Sequence, residues 1–579
     1  MTSANGEVSR ARAADCLTII LAILLSAVAL AYFHALDHHL FSSRYMSGIF
    51  RYLLKEYDAK TAWLTLGICV AAACWSNPAP SLKIVDFVNA HLVPIVIASV
   101  ALLALGTVFV YHDNAFAMDE YAEVFQAKTF AAGQLRAHLP ATVVDWLVPP
   151  ELNGAFLAAS KISGEAIEVF WPGFPLMLAP FEALGIPWLC NPCLAGVAVF
   201  LIHRITLDVT GNRRAAGWAV LFTLASGVFV AYSISYYSMQ ARLTTNLLFA
   251  WLLLKPDPRR SFAAGIVGSF ALVVHSPFPH ALFAAPWILS MAFSKERRRS
   301  LPILIAGYLP LLIVVGAGWL HLRGAITGGQ PGFEPITATM SSVLKLPTIF
   351  MLDLRAAAMV KMWIWAVPGL FLLALLGRLR CGDDYRVRLL AWSAVLTFGG
   401  YFFVVFDQGH GWGYRYLHSA WGVVPILAGC AMIERPGSTG RLIAFAGAAA
   451  MLSLLLVVPY QLLQIDSVIE RHLAQLPRPQ RPARYVYFIK VRGGFYAADL
   501  VQMDPLLRQP DLFLFSRGPE LDASLRQQNW PAAVLVERRG AIEAWDVGPA
   551  SPSRSAGEPS PERFEVTYAD AAPTQAPDP

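Results

Sequence analysis

Apolar runs follow one another along most of the chain, separated by short polar loops. They fall at 16–36, 61–76, 92–111, 187–205, 215–235, 240–254, 261–276, 280–293, 301–320, 362–379, 389–406, 417–433 and 442–460. Many approach the ~20 residues that cross a hydrocarbon core. The pattern predicts an all-α polytopic membrane protein of about 13 transmembrane helices. Arg10 and Arg12 precede the first run, which is too long for a signal-peptide core and reads as a span. From Gln461 the pattern changes. Arg484–Lys490, Leu512–Phe515, Ala533–Val536 and Ile542–Trp545 read as short strands, with helical or turn material at Pro505–Arg508 and Glu520–Gln528. This predicts a small C-terminal soluble α/β appendage. The chain therefore divides into a cytoplasmic tip and three spans (1–111), a first long loop (112–171), a multi-span core (172–460), a soluble domain (461–548) and a Pro-, Ala- and Ser-rich disordered tail (549–579).

Composition agrees with the membrane assignment. Of 579 residues 56% are hydrophobic and 15% charged, where soluble domains carry about 25% charge. The net charge of +6 matters through its distribution. Basic residues gather in every second loop: Arg204 with Arg213 and Arg214, Lys255 with Arg259 and Arg260, Lys295 with Arg297–Arg299, Arg378–Arg388, and Arg435 with Arg441. The positive-inside rule makes these loops cytoplasmic. The side of 112–171 then depends on 172–186, which holds Pro172, Pro175, Pro180 and Glu182. Prolines and a mid-span charge argue against a full crossing, so the segment reads as half-inserted. The expected topology is a multi-pass inner (plasma) membrane protein with its N-terminus cytoplasmic and 112–171 and the C-terminal domain extracytoplasmic. Basic residues near Arg44, Arg51, Lys55 and Lys60 run against this at the first outer loop.

Several chemistries find no support. The seven cysteines avoid long polar loops, so a disulfide framework is not expected. Cys190-Asn191-Pro192-Cys193 has redox spacing but lies in an apolar run. The glycine-rich run Gly324–Gly332 lacks the Lys-Ser of a phosphate-binding loop, and no zinc or HExxH spacing occurs. Nothing indicates nucleic-acid binding.

The first long polar interruption, Tyr111–Pro140, carries the adjacent acids Asp119 and Glu120. Asp119, Glu123 and Gln126 recur at helical spacing, opposite Tyr121, Val124 and Phe125. On these residues alone the stretch is either the wet face of a helix on the membrane surface or a carboxylate site. A transporter or lipid flippase would instead expect charges buried within spans. A non-catalytic component of envelope assembly also stays open.

Asp119-Glu120-Tyr121, a helix carrying Ala127, Gly133 and Leu135, and the later Trp171-Pro172-Gly173-Phe174-Pro175 together resemble the GT-C membrane glycosyltransferases. The nearest flavour is the bacterial branch of protein O-mannosyltransferases and aminoarabinose transferases. The resemblance covers about 100–460. Two apolar segments precede the span that leads into the acidic loop, a departure from members that have one. It implies an inverting transferase that moves a sugar from a polyprenyl-phosphate carrier to an envelope glycan, lipid or protein. Asp119 takes the position of the base, with Glu120 orienting the acceptor, sharing its proton or holding a divalent cation with Asp119. A lipid-phosphate leaving group calls for a cation at the same face. Arg415, followed by Tyr416 as in the family's Arg-Tyr pair, is the first candidate, with Arg242 and Lys361 as alternatives. His410, His418, Trp171 and Tyr237 are candidate substrate contacts. Interfacial anchoring would equally place aromatic and basic residues at that depth. His275 and His280 bracket a turn that reads as satisfied structure.

Overall fold

The computed structural model describes residues 2–37, 46–149, 153–327, 343–434, 440–478, 483–490 and 497–548. The expectations placed on Arg44, Arg435, the glycine-rich run beyond Thr327 and the tail 549–579 lie outside them. Contacts divide the chain into two units. One comprises 1–123, 170–321 and 334–469, the other 124–169, 322–333 and 470–579.

The first unit is helical, and the protein is a multi-pass membrane protein. Among the described residues five helices are long and apolar enough to cross a membrane: Arg12–Leu36, Leu92–Phe109, Pro187–Thr210, Arg298–Thr327 and Arg441–Leu473. They number seven if the bent pairs Gly48–Cys74 with Ala79–Ala90 and Arg213–Leu224 with Gly227–Ser233 each count as one. Other apolar runs form shorter pieces. The run at 417–433 begins as a 3-10 turn, Arg415–Ala420, before the helix Val423–Ala431. The run at 215–235 bends by 66° between Leu224 and Gly227.

Small residues let helices approach closely, as apolar solvent requires. A Cβ on Gly265 would lie 2.2 Å from the Leu304 carbonyl oxygen and 2.7 Å from the Gly307 Cα. The helices Pro258–Leu272 and Leu301–Leu311 therefore touch backbone to backbone.

The basic loops meet at one end of this unit. Arg214 bonds Asp86 and Glu434, both at 2.9 Å. Arg386 bonds the Asp208 carbonyl at 2.9 Å, and Arg380 bonds Asp15 at 2.6 Å. The Tyr385 hydroxyl donates to the Leu254 carbonyl while its ring lies under Arg297 at 4.2 Å. The segment 172–186 holds the helix Gly173–Ala183 of 11 residues, interrupted by Pro180. Such a helix is about 17 Å long, well short of a ~30 Å hydrocarbon core.

The second unit contains both sheets. Ala137–His138, Glu165–Glu168 and Leu157–Ala159 form a small antiparallel sheet with Glu165–Glu168 central, which the sequence pattern had not indicated. The C-terminal sheet has the order Leu512–Phe515, Tyr485–Ile489, Ile542–Asp546, Val534–Arg539, and only the first pairing is parallel. These strands stand where alternation predicts them. Their core is Tyr485, Tyr487, Ile489, Phe515 and Ile542. Trp146 Nε1 donates to Asp522 Oδ1 at 3.1 Å, so the long loop and the C-terminal domain pack together within this unit.

Candidate active site

The helix Met118–Ala131 starts the site. The chain reaches it through His112 and Asp113, two non-glycine residues at positive φ (56° and 47°). Such conformations are costly unless neighbours enforce them. Here His112 Nε2 meets Asp466 Oδ1 at 2.7 Å, and the Tyr236 hydroxyl donates to Asp113.

Glu120 is fully buried and collects four donors. Its Oε2 accepts from the Tyr111 hydroxyl (3.1 Å) and the N–H groups of Phe116 (2.9 Å) and Ala117 (3.1 Å). Its Oε1 accepts from the Tyr236 N–H at 2.8 Å. The side chain thus satisfies orphan donors at the helix start and clamps it to the turn after Ser233. Burial pushes the Glu120 carboxyl up to about 8, against the downward pull of its four donors.

Asp119 points the other way, to Arg415. Arg415 Nη1 lies 2.5 Å from Asp119 Oδ2, with the side chains 12% and 21% exposed, so solvent reaches the acid. The guanidinium sits 5.4 Å from the Tyr237 ring centroid and 5.7 Å from that of Tyr416. Local hydrogen bonds fix the loop bearing it. Gln408 Oε1 accepts from the Arg415 N–H (2.8 Å) and its amide donates to the Gly413 carbonyl (2.9 Å). Tyr416 stacks on Tyr401 at 4.4 Å and donates to the Asp407 carbonyl at 2.8 Å.

One turn after Asp119, Glu123 Oε1 meets His275 Nδ1 at 2.5 Å. Residues four apart share a helix face, so the two acids lie side by side. Arg242, buried on the helix Met239–Leu253, lies within electrostatic reach of Asp119, Glu123 and Arg415. Among the described residues its hydrogen-bond partner is the Met239 sulfur at 3.9 Å, and its Nε is buried without one. The Arg415 Nε is likewise buried without a partner. Two guanidiniums with buried N–H groups to satisfy can receive phosphate oxygens.

The structure thus brings Asp119, Arg415, Tyr416, Tyr237 and Arg242 together. His418 is buried nearby, its Nε2 3.2 Å from Gln240 Oε1. His410 packs edge-on against Phe116 at 5.2 Å. The Trp171 N–H donates to the His275 carbonyl at 3.1 Å, holding the Trp-Pro-Gly stretch against the His275 turn. Gly173 continues that contact, since a Cβ there would lie 2.5 Å from the Val273 carbonyl oxygen. Lys361 is not brought to this group. It is fully buried 2.5 Å from Asp58 Oδ2, whose other oxygen accepts from Trp365 Nε1 at 2.7 Å.

The expectation of a wet helix face is corrected. Glu123 is 1% exposed and Gln126 fully buried. Glu123 faces His275, and Gln126 bonds the Leu135 carbonyl and the Glu168 N–H. Sequence reasoning also missed Arg355, buried against the Tyr414 hydroxyl and the Val404 and Phe406 carbonyls. Its partners lie about fifty residues on, so no local pattern announces them. Among the described residues no three His, Cys, Asp or Glu side chains cluster as metal ligands would.

The fold is similar to that of ArnT. The crystal structure of ArnT from Cupriavidus metallidurans bound to undecaprenyl phosphate superposes with a TM-score of 0.51 at 12% identity, over 78% of this chain and 98% of that one. Its apo state gives 0.49 at 12% identity over 79% and 98%. The archaeal oligosaccharyltransferase AglB from Archaeoglobus fulgidus, in complex with an inhibitory peptide and a dolichol-phosphate, gives 0.37 at 13% identity over 66% and 56%. No protein-family model matches the chain, and no curated protein matches it significantly.

Proposed function

We propose that this protein is a glycosyltransferase that moves a sugar from a polyprenyl-phosphate carrier to a hydroxyl or amine acceptor at the extracytoplasmic face of the membrane. The observation that carries the reading is the 2.5 Å contact between Asp119 and Arg415. It joins a carboxylate able to take a proton to a guanidinium able to take a phosphate. The ArnT fold adds support, because ArnT was crystallised with undecaprenyl phosphate.

Without substrate, Arg415 neutralises Asp119. An arriving lipid phosphate competes for the guanidinium and, with Arg242, satisfies the buried Nε groups. Asp119 is then released as a base. The acceptor oxygen or nitrogen attacks C1 of the sugar, its proton passes to Asp119, and the C1–O bond breaks with its electron pair leaving on the phosphate. Attack opposite the departing phosphate inverts the anomeric centre. Glu120 is the structural anchor of this arrangement. Asp119 and Glu120 make a poor cation cradle, since Glu120 accepts four protein donors and Asp119 is engaged by Arg415. Tyr237 and Tyr416 flank the guanidinium, and Trp171, His410 and His418 are further candidates for substrate contact. Lys361 has no part in it.

Sidedness rests on the basic end, which the positive-inside rule assigns to the cytoplasm. Transport across the membrane draws on one observation, the buried pair of Asp58 and Lys361. These two groups satisfy each other, and no free intramembrane charge is left there for a cargo.

Undecaprenyl phosphate binding to the purified protein tests the reading. Arg415→Ala is expected to weaken it roughly tenfold or more, the worth of a charged hydrogen bond. Unchanged binding in a folded Arg415→Ala protein would remove the phosphate role.

A further inference from the structure

His275 and His280 close the same turn but have opposite environments. His280 is spent: its Nδ1 meets Asn246 Oδ1 and its Nε2 meets the Tyr308 hydroxyl, both at 2.7 Å. His275 uses only Nδ1, toward Glu123 Oε1. A carboxylate oxygen only accepts, so the ring proton sits on Nδ1 and the Nε2 lone pair is available. Among the described residues Nε2 has no hydrogen-bond partner, and 15% of the side chain is exposed. Phe170 stacks on the ring at 4.0 Å and fixes its plane. The charged groups around it are Glu123 from the helix Met118–Ala131, Arg242 from Met239–Leu253 and Arg415 from the turn Arg415–Ala420. Burial and the two guanidiniums lower the imidazole's affinity for a second proton. Glu123, one helical turn after Asp119 on the helix Met118–Ala131, thus orients a neutral imidazole with an open nitrogen.

We propose that His275 Nε2 is an acceptor-binding position: it accepts a hydrogen bond from a hydroxyl or amine of the acceptor substrate, and Glu123 is the positioning residue that sets its tautomer and plane. The inference rests on the proposed transferase reading and adds the acceptor side to it. The guanidiniums take the anionic donor, and the imidazole takes a neutral hydrogen-bond donor. That division implies that the acceptor presents O–H or N–H groups, rather than a phosphate or carboxylate, at this point.

Three measurements on the full-length, detergent-purified protein test it. Diethyl pyrocarbonate, which acylates open neutral imidazole nitrogens, is expected to label His275 in the peptide mass spectrum and to spare His280. An unlabelled His275 would overturn the accessibility on which the proposal stands. Undecaprenyl phosphate should bind His275→Ala within about twofold of the native protein, while sugar transfer in membranes falls roughly tenfold or more, the worth of one hydrogen bond. His275→Gln, which can present an oxygen near the Nε2 position, should regain much of the transfer, and Glu123→Gln should fall between. Loss of phosphate binding in His275→Gln equal to that of Arg415→Ala would overturn the proposal by moving His275 to the donor side. Full transfer by His275→Ala would overturn it directly. Failure of the transferase reading looks different: Asp119→Asn would then transfer normally, whatever His275 does.

Discussion

Asp119 and Arg415 stand 296 positions apart in the chain and meet at 2.5 Å. Each is held by its own local frame. Glu120 pins the helix that carries Asp119, and Gln408 pins the loop that carries Arg415. The pair is partly exposed, so its value to stability is modest. Its consequence is chemical: a carboxylate and a guanidinium are delivered to one place.

Glu120 makes the protein sensitive to pH. Its carboxyl rises from an ordinary 4.5 to about 8 on folding, chiefly through burial. Between those values the folded state holds a proton that the unfolded chain has released. Stability therefore falls as pH rises through this window. The thermal midpoint of the purified protein should decline from pH 5 to pH 8, and Glu120→Gln should flatten that slope. A slope unchanged by Glu120→Gln would detach the effect from this residue.

The pair of Asp58 and Lys361 should behave as structure. Removing one partner leaves a buried charge uncompensated, at a cost of about 3–5 kcal/mol. Lys361→Met is expected to lower the yield of folded protein sharply, and Asp58→Asn with Lys361→Met should recover much of it. Transfer per folded molecule should stay near native in the double variant. A double variant that folds but transfers nothing would return Lys361 to the site.

The multi-span nature and the C-terminal strands were legible because they rest on local periodicity, apolar runs in one case and alternation in the other. Asp119 and Arg415 stood out as residue types at loop positions, and the structure shows that they meet. The burial of Glu123 was not legible, because its partner His275 lies 152 residues away. Lys361 looked available for the same reason, with Asp58 303 residues before it. Helix pattern alone gives a wet face wherever acids recur, and only the tertiary partners turn that face inward. Apolar runs do not all form unbroken helices, which hydropathy alone does not reveal: at Arg415–Ala420 the backbone tightens into a 3-10 turn.

Membrane sidedness can be checked with cysteines placed in a cysteine-free background. Lys161 and Arg538 are well exposed, with side chains 47% and 63% accessible, and both belong to the second unit. Single cysteines there should react with an impermeant maleimide from outside the cell. A cysteine at Arg259, in a basic loop, should react only after the membrane is opened. Labelling of Arg259 from outside would reverse the orientation.

The most direct test of the central claim replaces Asp119 with Asn, with membrane insertion and undecaprenyl phosphate binding confirmed, and follows transfer of the polyprenyl-linked sugar. Asparagine keeps the shape and removes the base. The account predicts a loss of roughly 100- to 10,000-fold with the phosphate still bound. Transfer at the native rate by an Asp119→Asn protein that is the sole source of activity would contradict it.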